Sequence, residues 1–310
     1  MVTSPYPVNP ARSPAHRDER FKLPSARRHD MNRLMSDRPH QPPKRRFGPP
    51  AARGPNRRER PAGRPFGEWP DDVAILYGWH SVSEALRNPR RRVRKLMATE
   101  NALKRLVDEN IPLPFEPQLV RPGEIDRLLE PDAVHQGLFA ECDPLPSPNL
   151  DEAAENDLIL VLDQITDPHN VGAIVRSAAA LKVGAIITTA RHSPAATGVL
   201  AKSASGGLEH VPFCYVTNLA RALEDLKKRG VQVVGLDSEG PADLVDTPMR
   251  QPVALVLGAE GKGLRQLTRQ TCDTLARIDL PGAIVSLNVS NAAVLALHIA
   301  RRAIAKKTTG

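Results

Sequence analysis

The sequence predicts an α/β protein built as two successive domains. Three observations carry that reading: apolar runs alternate with helical stretches from about residue 73 onward, a proline-rich break at 143–149 interrupts the alternation, and the runs 158–162 and 253–257 are continuous enough to be parallel strands buried on both faces. In the first stretch, strands are expected over 73–77, 93–99, 115–120 and 137–141. Helices are expected after Gly78 as far as Asn88-Pro89, and over 102–109 and 124–129. This assigns residues 71–142 to a small α/β domain, 143–157 to a linker and 158–310 to a second domain.

In the second domain the strand 158–162 is followed by a polar turn over 163–169. Asn170 is then expected as the N-cap of a helix over 171–181. One charge, Arg176, stands in that apolar helix. By position alone its head is expected to point to solvent; the alternative is that a strand-turn-helix unit delivers it to the carboxyl edge of the sheet, where α/β folds place ligands. The run 253–257 leads into Gly258-Ala259-Glu260-Gly261-Lys262-Gly263, whose three glycines allow backbone N–H groups to approach a ligand closely. The loop is neither GxGxxG nor a P-loop. After a third run ending at Ile278, four small polar residues, Ser286, Asn288, Ser290 and Asn291, precede a helix reaching about residue 305. Helix capping accounts for one of the four.

Composition bounds the partners. The 310 residues and 41% hydrophobic content suffice for two cores. Cys142, Cys214 and Cys272 are far apart and form no CxxC pair, so three reduced thiols in a cytoplasmic protein are expected, with no metal site. Neither a secretory signal nor an apolar run of spanning length is present, and no membrane partner is expected. Residues 1–70 hold 16 Lys+Arg against 6 Asp+Glu and 14 of the 30 prolines, while the remaining 240 residues hold 27 against 29. The basic excess is therefore all in a tail that cannot bury enough apolar surface to order itself, and disorder is expected there. Composition alone serves equally a polyanion-binding arm and a solvated spacer.

Three strings carry a resemblance. Asp167-Pro168-His169-Asn170-Val171-Gly172-Ala173-Ile174-Val175-Arg176-Ser177-Ala178, Leu257-Gly258-Ala259-Glu260-Gly261-Lys262-Gly263-Leu264 and Ser286-Leu287-Asn288-Val289-Ser290 resemble, in order and spacing, the signature motifs of the SpoU (TrmH) family of RNA 2′-O-ribose methyltransferases. The intervening Lys202-Ser203-Ala204-Ser205-Gly206-Gly207-Leu208-Glu209 also resembles a family segment. Upstream, Leu76-Tyr77-Gly78-Trp79-His80-Ser81-Val82 and His135-Gln136-Gly137-Leu138 are similar to the L30e-like RNA-binding module of the RlmB branch, which methylates a guanosine of 23S ribosomal RNA.

The resemblance implies a trefoil-knotted SPOUT methyltransferase domain, S-adenosylmethionine as cofactor, structured RNA as substrate and a homodimer with its active site near the subunit interface. It implies that Gly258, Ile278 and Leu287 lie against the cofactor, and that Asn170, Arg176, Glu260, Ser286 and Asn288 form the functional polar set. Ser286 and Asn288 would orient the sugar or cofactor, and Glu260 would organise the loop or Arg176. Arg176, the family's candidate activator, is better suited to clamp a phosphate than to act as base, because a guanidinium is not deprotonated in proteins. One departure is Ile278-Asp279-Leu280-Pro281, where relatives usually carry Ile-Pro-Met. Three alternatives compete: a tRNA ribose methyltransferase, a non-catalytic RNA-binding ribosome-assembly protein, and a Rossmann oxidoreductase, whose glycine fingerprint and acidic partner are missing.

Overall fold

The computed structural model describes residues 72–192, 198–284 and 286–307. The expectations for the tail, residues 1–70, fall outside the described residues.

A four-stranded sheet is formed by β1 (Ala74–Tyr77), β2 (Val93–Ala98), β3 (Gln118–Leu119) and β4 (Leu138–Cys142), in the order β1-β4-β2-β3. β4 is antiparallel to both β1 and β2, and β3 runs parallel to β2. One face packs on α1 (Trp79–Arg87) and α2 (Glu100–Asp108) through Leu76, Leu96, Leu138, Val82 and Leu106. The other packs on α3 (Pro122–Asp126) through Ile75, Met97, Phe139 and Ile125. The strand expected over 115–120 shrinks to two residues, because Pro114 and Pro117 cannot donate to a ladder.

The stretch 143–149 carries no regular element, but 150–157 is not free chain. Asn149 caps α4 (Leu150–Ala154), accepting from the Glu152 N–H at 2.9 Å, and Ala153 is fully buried against the larger sheet.

That larger sheet contains β5 (Leu158–Asp163), β6 (Ala185–Thr189), β7 (Phe213–Val216), β8 (Gln232–Leu236), β9 (Ala242–Asp243), β10 (Val253–Gly258) and β11 (Thr274–Arg277). The order is β7-β6-β5-β10-β8-β11-β9, with every neighbouring pair parallel. Residues alternate between two helical layers. Leu158, Leu160 and Leu255 face α5 (Pro168–Ala180), α6 (Gly198–Ala204) and α9 (Val289–Lys307); Ile159, Val161 and Val256 face α4 and α7 (Leu219–Lys228). A short α8 (Gln266–Thr271) follows the glycine loop.

The helix expected to start at Asn170 starts earlier. Asp167 is its N-cap, accepting from the His169 N–H at 3.1 Å, and Pro168 takes the first helical position, where its missing N–H costs nothing. Asn170 is thus inside the first turn. Cys142 and Cys214 are buried and Cys272 partly so, all three unbridged; burial pushes the Cys142 and Cys272 thiols up to about 12. No described helix is long and apolar enough to cross a membrane.

The two sheets meet through a shared core. Ala201 of α6 is buried in the core of the four-stranded sheet, and Leu208 packs against both cores. The Ser81 hydroxyl donates to the Ala201 carbonyl at 2.9 Å.

Candidate active site

Because the strands are parallel, their carboxyl ends share one edge, where successive loops can face each other. The loops after β8, β10 and β11, with Ser286, Leu287 and Val289, line a cleft of about 700 Å³. Five of the eight expected site residues line it: Gly258, Glu260, Ile278, Ser286 and Leu287.

The glycine loop folds back on itself. Ala259 and Gly263 form an isolated antiparallel bridge, with the Gly263 N–H donating to the Ala259 carbonyl at 2.8 Å. Gly261 and Gly263 hold φ of 75° and 65°, which side-chain-bearing residues rarely adopt. A Cβ at Gly258 would fall well inside van der Waals contact of the Gly263 carbonyl group and the Leu264 nitrogen. The closest approach at Gly258 is therefore the loop's own backbone, which requires glycine there before any ligand is considered.

The far end of the loop is anchored by a residue the sequence reading passed over. Asp163, 1% exposed at the end of β5, accepts from the Arg265 backbone N–H at 3.0 Å and from its Nε at 2.6 Å. A carboxylate ending an otherwise apolar strand was the available signal. Opposite, Arg269 pairs with Asp237 at 3.2 Å and Glu239 at 3.1 Å, so these two cleft carboxylates are already engaged. Glu260 is exposed and makes no hydrogen bond or ion pair with a described residue. Asp279, where the chain departs from the family string, pairs with Arg277 at 2.6 Å and leaves Ile278 and Leu280 to line the cleft.

Asn170 and Asn288 lie beside the cleft rather than on its lining. The Asn288 amide donates to Asn170 Oδ1 at 3.1 Å, joining the first turn of α5 to the start of α9. Asn288 Oδ1 in turn accepts from the Ser290 N–H at 2.9 Å and the Ser290 hydroxyl at 2.6 Å, so Asn288 caps α9. Arg176 is six residues beyond Asn170 on α5, about 9 Å along the axis. It is exposed, has no ion pair or hydrogen bond to a described residue, and is not among the cleft residues. The chain by itself does not bring Arg176 to the cleft. Among the described residues, no group of three or more His, Cys, Asp or Glu is placed to hold a metal.

Comparison with known proteins matches residues 157–298 to the SpoU rRNA Methylase family and residues 75–148 to a family described as RNA 2′-O ribose methyltransferase substrate binding. The 23S rRNA (guanosine-2′-O-)-methyltransferase RlmB of Ralstonia nicotianae is 40% identical over 237 residues, covering 74% of this chain and 95% of that protein. The RlmB of Vibrio cholerae is 40% identical over 243 residues, covering 74% and 96%. Among solved structures, the SpoU methyltransferase AviRb of Streptomyces viridochromogenes, in complex with AdoMet, is similar in fold with a TM-score of 0.64 at 24% identity, covering 77% of this chain and 92% of that one.

Proposed function

The chain belongs to the SpoU rRNA methylase family, and from that premise we propose that it transfers a methyl group from S-adenosylmethionine to the ribose 2′-hydroxyl of a guanosine in 23S ribosomal RNA. The observation that carries this is the convergence of the second and third motif strings, nearly 30 residues apart, on one cleft at the carboxyl edge of a parallel sheet.

The cleft suits the cofactor. Its volume is in the range of small-molecule sites, Ile278, Leu280 and Leu287 offer apolar cover for an adenine ring, and the loop 258–263 offers backbone donors and acceptors. Glu260, unpaired among the described residues, offers a carboxylate to a cationic ligand. Bound there, S-adenosylmethionine supplies an electrophilic methyl group on a sulfonium.

The chain's own task is to align a ribose hydroxyl with that methyl group and to ease loss of its proton. Ser286, exposed at the cleft, and the linked amides of Asn170 and Asn288 beside it are the groups assigned to orienting the sugar. Arg176 is assigned to the RNA backbone: its planar fork clamps a phosphate and lowers the hydroxyl's pKa, a role that suits its fixed charge better than accepting the proton.

The reading extends to a homodimer, in which Arg176 serves RNA across the subunit interface. Supporting this, Val294 and Leu295 on α9 are 42% and 37% exposed, and Ile284 and Leu287 before it are also uncovered. It extends to a knotted path for the C-terminal part, supported by the non-sequential strand order and by α9 packing onto α5 through Ala293 and Leu297. It also takes the four-stranded sheet as an L30e-like RNA-binding domain over 71–142, followed by a linker and a methyltransferase domain from 158. A cytoplasmic location follows from the substrate.

The test is methylation of 23S ribosomal RNA from a strain lacking the corresponding gene, with labelled S-adenosylmethionine and mapping of alkali-resistant linkages. One labelled 2′-O-methylguanosine is expected. Label appearing only in transfer RNA would move the protein to a different substrate, and no label with undiminished RNA binding would make it a non-catalytic RNA-binding protein.

A further inference from the structure

Glu209 closes the segment 202–209, and the site described above gives it no task. It lies in the short 3-10 turn Gly207–Glu209 after α6, while its partner Arg91 lies between α1 and β2, 118 residues earlier. The side chains of Arg91 and Glu209 are 3% and 2% exposed and meet at 2.6 Å. The contact is fork to fork: Arg91 Nε is 3.2 and 3.1 Å from the two carboxylate oxygens, and Nη2 donates to Oε1. The Asn88 amide donates to Glu209 Oε2 at 2.8 Å, and Arg91 Nη1 donates to the Asp143 carbonyl at 2.8 Å, where β4 gives way to the irregular stretch.

Desolvation offsets most of the attraction in such a buried pair, so net stability does not explain it. What a planar fork on a carboxylate does supply is a single geometry. That geometry is passed on at once. A Cβ at Gly207 would lie 3.0 Å from the Val175 carbonyl oxygen and 3.2 Å from Arg176 Cα, and one at Gly206 would lie 2.5 Å from Glu84 Cγ. The turn is wedged between α1 and the part of α5 that carries Arg176. A second polar contact guards the other side of the seam. Lys202 Nζ donates to Gln136 Oε1 at 3.1 Å, the oxygen that also accepts from the Trp79 N–H at 3.0 Å, and burial holds the Lys202 ammonium below its ordinary range.

We propose that the Arg91–Glu209 pair is a positioning device that locks the four-stranded sheet in one orientation on α5, and so sets which ribose of an RNA held by that sheet is presented beside Arg176. The role in methylation rests on the function proposed above; the lock itself does not.

The test has two arms. In the wild-type background, spin labels at Lys104→Cys on α2 and Glu224→Cys on α7, diluted with unlabelled chains, should give one narrow intrachain distance distribution. A broad or multiple distribution overturns the lock without reference to any mutant that fails to fold. In the second arm, Arg91→Met/Glu209→Leu replaces the pair by apolar groups, and Arg91→Lys keeps the charge but removes the fork. Both should retain the affinity for S-adenosylmethionine and for ribosomal RNA, broaden the distance distribution, and slow single-turnover methylation about a hundredfold, the scale set by an ångström of misplacement. Wild-type methylation by the double variant, or by Arg91→Lys, overturns the positioning role. A narrow wild-type distance in a protein that methylates nothing would leave the lock standing and remove the function.

Discussion

Gly258 is confined by its own chain before any ligand arrives, and that changes what a substitution there does. The clash of a side chain with the Gly263 backbone cannot be relieved by a rotamer. Gly258→Val is therefore expected to lose stability toward the upper end of the roughly 1–3 kcal/mol that overpacking costs, with cofactor affinity falling because the loop is displaced. Thermal unfolding beside a calorimetric titration checks this; unchanged stability with lost binding would restore direct cofactor contact as the reason for glycine. Arg176 is the opposite case, an exposed side chain with no hydrogen bond or ion pair to a described residue. Arg176→Ala should keep the melting temperature and cofactor affinity while abolishing methyl transfer. Arg176→Lys should be nearly as inactive if a bidentate clamp is required, whereas activity recovering as pH rises toward the lysine pKa would instead mark a proton acceptor. Wild-type rates in the alanine variant would reduce Arg176 to a surface charge.

The glycine loop owes its place to β5 as much as to β10, through Asp163 and Arg265. Asp163→Ala removes the acceptor of a backbone N–H and of a charged donor, a loss of about 1–3 kcal/mol. The same variant should bind S-adenosylmethionine several-fold more weakly, read by titration; unaltered affinity would show the loop to be held without that tie. This pair also marks the limit of what the sequence disclosed. Strands 158–162 and 253–257 were legible because burial on both faces leaves an uninterrupted apolar signature, and the loop 258–263 because glycines betray close backbone approach. Asp163–Arg265 and Arg91–Glu209 were not, since each joins residues more than 100 positions apart and neither partner forms a pattern with its neighbours. At α5 the expected cap was Asn170, but Asp167 takes the position because the following Pro168 is pre-set for the first helical residue. That left the Asn170 amide free to reach Asn288.

Across the whole chain, charge is divided so that the basic excess lies in residues 1–70 and the remainder is nearly balanced. Removing residues 1–70 should leave the melting temperature and cofactor affinity unchanged while weakening RNA binding and lowering the dependence of log K on log salt by about 0.7–0.9 for each phosphate that is no longer neutralised. Equal salt slopes with and without the tail would make it a spacer. The strand order has a consequence for how the chain must be made. β5 ends at Asp163, but the neighbour on one of its edges, β10, does not begin until Val253. At the roughly 5–20 residues per second of synthesis, a nascent chain displays the bare edge of its most apolar strand for several seconds before the complement leaves the ribosome. The period of greatest exposure to aggregation and to chaperones thus falls while the stretch between Asp163 and Val253 is being added, and a ribosome stalled between codons 163 and 253 would hold a sheet with nothing yet available to complete it.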